Sequence, residues 1–190
     1  MKIRAARRSQ NVVLEMEPRN STLPPISLPE VNLKKILVPI DFSEPSKKAM
    51  QYAVSFAKQF NAELLLLHVI EFTPLPAPPL AVMQDETTQA KLHESAAKGL
   101  GEWRNTMGSQ ASMRTSVRNG ISAHAEIVSA ATEGNIDLII LGTRGRTGLA
   151  HLLIGSTAER VVRYAPCPVL VVREREHDFV TSRKEIPNKR

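Results

Sequence analysis

Aromatic residues make up only 4% of this 190-residue chain, so any core it forms must be built from aliphatic side chains. Cysteine occurs once, at Cys167, which excludes an intramolecular disulfide and agrees with a reducing compartment. Set between two prolines in APCPVLVV, that thiol reads as a small packing residue ahead of an apolar strand. The longest apolar runs, such as ELLLLHVI, are far below the length of a membrane span. The basic start, MKIRAARRSQ, is followed by neither an apolar export segment nor a small-residue cleavage site. A cytoplasmic protein without membrane association is therefore expected.

Dense charge of one sign is also missing. The net charge is +6 and the pI near 9.7, but the basic residues are scattered. Through residue 33, Lys2, Arg4, Arg7, Arg8 and Arg19 are offset by Glu15, Glu17 and Glu30. No basic run interleaved with aromatics appears, so specific nucleic-acid binding is not expected.

What the chain does have is 42% hydrophobic residues and a repeated alternation of patterns. Residues 1–32, broken by Pro18, Pro24, Pro25 and Pro29, read as a flexible N-terminal arm. Residues 174–190 read as a charged C-terminal tail. Between them, 33–173 form one domain. KKILVPI (34–40), AELLLLHVI (62–70), IDLIIL (136–141) and PVLVV (168–172) are short apolar runs suited to buried parallel strands. MRTSVRNG (113–120) alternates weakly, as an edge strand would.

Helical periodicity fills the gaps. Ser43 and Pro45 open the first helix, with Ala49, Tyr52, Ala53, Phe56, Ala57 and Phe60 recurring on one side. A second helix over 86–107 places Leu92, Ala96, Leu100 and Trp103 on one face. A third runs from Ile121 to Glu133 and stops at Gly134-Asn135. STAERVVRYA is the fourth, halted by Pro166. The fold class is α/β: a single doubly wound, parallel, five-stranded sheet, Rossmann-like, with helices on both faces.

The stretch GTRGRTGLAHLLIGS (142–156) leaves the carboxyl end of its strand and feeds a helix N-terminus. In open parallel sheets ligands bind at that edge, and a helix N-terminus favours an anion. Gly142 and Gly145 would allow positive φ and close approach of a ligand. Ser156 with Glu159 has the spacing of a capping box, so a purely structural task is open to Ser156 as well. A Walker loop is excluded because Gly155-Ser156-Thr157 lacks the lysine. A dinucleotide fingerprint is excluded because IDFSEPS, after the first strand, contains no glycine.

The spacing Gly142-x2-Gly145-x9-Gly155-Ser156 resembles the G-2x-G-9x-G-[ST] signature of the universal stress protein (UspA-like) family. KKILVPIDFSE, LLLLHVI and the block from NIDLIIL to PVLVVR are similar to the family as well, over about residues 33–173. The resemblance implies the ATP-binding subclass. It implies that Asp41 lies near the ribose or a divalent ion (Mg or Mn, held through the nucleotide), with Pro39 and Ile40 shaping the same edge. It further implies that the backbone of Val69 recognises adenine, and that Gly142, Arg144, Gly145, Gly155, Ser156 and Thr157 surround the phosphates. Arg146 and His151 are weaker candidates. Asp41 could instead make an Asx turn or cap. Pairing of the 168–172 strand as a homodimer is implied too.

Catalytic signatures are few. His68, His93, His124, His151 and His177 have no metal-ligand spacing, and no G-x-S-x-G occurs. His68 reads as a satisfied core histidine. The expectation is a nucleotide-responsive stress or regulatory protein, with no catalytic residue and at most slow ATP hydrolysis. The alternatives are a nucleotide-independent interaction or chaperone-like module, and an ATP-dependent enzyme of the related adenine-nucleotide group. The proline-rich 72–82 segment reads as either a lid or a connector.

Overall fold

The computed structural model describes residues 30–72, 86–107, 111–143, 155–173 and Val180. The chain divides into Met1–Val31 and Asn32–Arg190, and every element below belongs to the second unit. The expected arm and tail fall outside the described residues, apart from residues 30–32 and Val180. So does the proline-rich segment after Phe72.

The elements run β1 (Lys35–Pro39), α1 (Glu44–Phe60), β2 (Glu63–Glu71), α2 (Glu86–Thr106), β3 (Met113–Gly120), α3 (Ala123–Gly134), β4 (Leu138–Gly142), α4 (Ser156–Tyr164) and β5 (Val169–Val172). All four strand pairings are parallel, in the order β3-β2-β1-β4-β5. The expected fold class stands.

Strand side chains alternate between two apolar layers. Ile36, Val38, Leu64, Leu66 and Ile140 pack beneath Ala49, Met50, Ala53 and Ala57 of α1 and Leu100 of α2. Leu37, Leu67, Ile139 and Leu141 face Ile127, Ala130 and Ala131 of α3 and Ala158 and Val161 of α4. Helices α1 and α2 thus share one face and α3 and α4 the other. Right-handed crossovers give this split when the chain first winds outward to β3 and then reverses to β4.

Helix ends follow local chemistry. Ser43 caps α1, its side chain accepting from the Ser46 N–H, and Pro45 sits in the first turn. Asn61 and Asn135 end α1 and α3 in the left-handed conformation, which asparagine tolerates better than most residues.

Three expectations need correction. Helix α3 starts at Ala123, two residues later than its periodicity suggested, because Ser122 takes the extended N-cap conformation and leaves Ile121 65% exposed. On α2, Ala96 and Leu100 are buried but Leu92, which lines an open cavity, is 50% exposed. At α4 the N-cap is Gly155, and Ser156 is the first helical residue with no side-chain cap bond. Glu159 pairs with Arg163 one turn on, so no capping box forms.

Candidate functional site

The order β3-β2-β1-β4-β5 reverses direction between β1 and β4, where a crevice opens at the carboxyl ends of the strands. A cavity of about 940 Å³ occupies that edge. Pro39, Ile40 and Asp41 line it from β1, Val69 from β2, Gly142 from β4, and Gly155, Ser156 and Thr157 from the start of α4. Every site residue named from the sequence that falls among the described residues is therefore on one wall or another. Arg144 and Gly145, with Arg146 and His151, lie outside the described residues.

Asp41 takes the Asx-turn role open to it. Its Oδ1 accepts from the Ser43 N–H at 3.1 Å and from the Ser43 hydroxyl at 2.5 Å, closing an Asx turn ahead of α1. Its Oδ2 is buried and has no hydrogen-bond partner among the described residues. A buried carboxylate oxygen left without a donor is costly.

The backbone of Val69 is placed by strand register. On β2, the Glu63 N–H donates to Lys34 O and Leu67 O accepts from the Ile40 N–H, so odd-numbered residues turn their amides toward β1. Pairing with β1 ends at Pro39↔Leu67. The N–H and C=O of Val69 point the same way, past the last paired residue of β1 and along the cavity.

Gly142 is needed for a reason the sequence did not show. A Cβ there would lie 2.8 Å from the backbone carbonyl carbon of Pro45, so the residue lets the first turn of α1 press against β4. It does not use a positive φ. Gly155 is different: with φ −71° and ψ 153° its backbone suits any residue, so conformation does not require glycine there.

Three helix N-termini converge on the cavity through Ser46 of α1, Ala123 of α3 and Ser156–Ala158 of α4. Ser43 serves the first, and Glu71 Oε1 accepts from the Ala123 N–H of the second at 2.6 Å. The third begins behind Gly155, and among the described residues no side chain caps its leading N–H groups.

Several lining residues were not anticipated. Ser95, Lys98, Gly99 and Glu102 form a wall on α2, and Phe42, His68 and Glu71 extend it. His68 is satisfied as expected, its Nδ1 2.7 Å from Ile40 O, but it belongs to the cavity wall and not to a sealed core. The helical spacing of 95, 98, 99 and 102 is the signal that could have flagged the α2 wall. Among the described residues, no group of three or more His, Cys, Asp or Glu could hold a metal ion by itself. Nor is any helix there long and apolar enough to cross a membrane.

Residues 32–173 match the universal stress protein family. The chain belongs to that family. A universal stress protein of Methanocaldococcus jannaschii is 38% identical over 144 residues, spanning 74% of this chain and 82% of that protein. The structure of universal stress protein UspA from Lactobacillus plantarum superposes with a TM-score of 0.65 at 30% identity, covering 76% of this chain and all of the other. A universal stress protein in complex with cAMP shares the fold at a TM-score of 0.53 and 21% identity, over 75% and 98% of the two chains. The family is thus the one that the spacing of Gly142, Gly145, Gly155 and Ser156 resembles.

Proposed function

We propose that this chain binds an adenine nucleotide at the carboxyl edge of its sheet, with ATP as the leading ligand, and that binding biases a regulatory state. The observation that carries the reading is the uncapped N-terminus of α4, opening into the cavity at the reversal of strand order. Its N–H groups, with the helix dipole behind them, suit phosphate oxygens. The free backbone edge at Val69 suits the donor and acceptor edge of adenine. Asp41 Oδ2 suits a ribose hydroxyl, or a Mg²⁺ or Mn²⁺ ion carried in by the phosphates. A relative of the same fold holding cAMP supports an adenine nucleotide at the level of fold.

The residues named for the site hold and orient a nucleotide, and we assign no catalytic residue among them. Asp41 already accepts two bonds on Oδ1, and a lone carboxylate does not position an attacking water. ATP hydrolysis, if measured, should be slow. We also assign the protein to the cytoplasm and to a homodimer paired through residues 168–172.

Calorimetric titration of ATP with Mg²⁺ into the full chain tests the reading. Saturable heat is expected, together with thermal stabilisation that reaches about 2.7 kcal/mol when free ligand is near 100 times Kd. No heat and no shift would remove the nucleotide reading and leave a nucleotide-independent interaction or chaperone-like module. Gly155→Val gives a sharper test. The substitution suits the backbone but fills the cradle, so an unchanged fold with binding reduced at least about a hundredfold is expected.

A further inference from the structure

Among the described residues, three that are not glycine have positive φ: Asn61, Asn135 and Phe42, the last at 64°. Asparagine at a helix end tolerates this conformation, whereas a bulky aromatic stores strain that its surroundings must hold. Those surroundings are explicit. The Phe42 ring lies 4.8 Å from the His68 ring and meets the Trp103 ring edge-on at 5.6 Å. On α2 it presses against Gly99, where a Cβ would sit 2.9 Å from two of its ring carbons.

On the other side of Asp41, His68 Nδ1 lies 2.7 Å from Ile40 O. A carbonyl oxygen only accepts, so Nδ1 carries the proton of that bond. The residues before and after Asp41 are therefore clamped from β2 and α2 together. Between them the carboxylate of Asp41, a residue that lines the cavity, is tied down at Oδ1, while Oδ2 is buried with no hydrogen-bond partner among the described residues.

We propose that Phe42 is a positioning residue, wedged by His68, Gly99 and Trp103, that holds the Asp41 carboxylate in its ligand-binding orientation and so lets α2 set affinity at Asp41. The proposal rests on the cavity being the nucleotide site. It accounts for a glycine inside a helix at 99, where alanine would be the better helix former. Preorganising Asp41 spares the ligand the cost of ordering it. A Cβ at Gly101, two residues further along α2, would meet no atom within 4 Å, so that position serves as the matched control.

The test uses the full chain and titration with ATP and Mg²⁺. Gly99→Ala and Gly101→Ala are each made with Asp41 intact and in an Asp41→Asn background. Gly99→Ala should weaken binding about tenfold or more with Asp41 present and less than about twofold in the Asn background, a coupling that a double-mutant cycle reads directly. Gly101→Ala should change neither. Equal losses in both backgrounds would mean that the added methyl meets the ligand itself, and no loss would mean that no wedge exists; either overturns the proposal. A nucleotide-free readout separates this from failure of the site reading. The ¹⁵N shifts of neutral His68 should show the Nδ1–H tautomer in the unsubstituted chain and its loss in Gly99→Ala. The Nε2–H tautomer in the unsubstituted chain, or no change on substitution, would sink the wedge whether or not ATP binds.

Discussion

Gly142 stands where β4 runs past the first turn of α1, and its small size fixes how close those two elements come. Because a Cβ would overlap Pro45 backbone atoms, which cannot swing aside as a flexible side chain can, Gly142→Ala must separate α1 from β4. The expected cost is about 1–3 kcal/mol, measured as a lowered denaturant midpoint with an unchanged m-value. A ligand-only role for this glycine would instead leave stability intact. The same residue scale shows why some of the site was legible in the sequence and some was not. The spacing of glycines and the acid after the first strand point to the edge of the sheet where the cavity lies. They could not show that Gly142 serves packing while Gly155 has a backbone that any residue could take. That division depends on which neighbour lies above each backbone, and Pro45 is far from Gly142 along the chain. Phe42 and His68 were similarly hidden, since neither a left-handed φ nor a ring contact leaves a trace in composition.

At the scale of elements, the strands and helix types were readable because buried parallel strands need uninterrupted branched runs and helices need a recurring apolar face. Two of the three errors fell at helix starts. Cap spacing marks what a serine can do, and both Ser122 and Ser156 had alternatives: Ser122 bonds the ring of His124, and Ser156 begins α4 behind a glycine cap. Helix ends proved more reliable, because left-handed backbone admits few residues. Asn135→Gly should therefore keep or slightly raise stability, whereas Asn135→Ala should lower it by about 1 kcal/mol, both followed by thermal unfolding.

A second element-level device joins β3 to α3. Arg118 bonds Glu133 at 2.6 Å and approaches Glu126 at 3.8 Å. The Arg118 hydrogen bond, then that from Ser129, then the Arg118 charge hold the Glu133 carboxyl below its ordinary value of 4.5. A lowered folded value means stability that is present above the ordinary value and lost as pH falls through the depressed one. Glu133→Gln should accordingly be less stable than the unsubstituted chain at neutral pH and converge with it in acid. The pair is exposed, so the gap should be small and should shrink with added salt. A gap that persists at low pH would contradict the assignment.

For the whole molecule, the two open edges of the sheet differ. β3 carries Arg114 and Arg118 along its edge, paired with Glu63, Glu126 and Glu133, and such charges discourage strand addition. β5 is Val-Leu-Val-Val, short and uncharged, and a second copy of the same strand would cover it with closed two-fold symmetry. Pairing with β4 uses the carbonyls of Pro168 and Val172, so even-numbered residues of β5 turn their amides inward and Val169 and Val171 turn theirs to the open edge. Proline at an outward position removes one edge donor without touching the β4 ladder, whereas proline at an inward position breaks the sheet. If the chain pairs through β5 as proposed, the unsubstituted chain should sediment as a dimer and Val171→Pro as a monomer that is folded by circular dichroism, while Leu170→Pro should lose the fold. A Val171→Pro chain that stays dimeric would place the interface elsewhere. A nucleotide effect on the dimer's dissociation constant, measured in the same experiment, would tie the cavity to assembly, since β4 carries both Gly142 at the site and the ladder that supports β5.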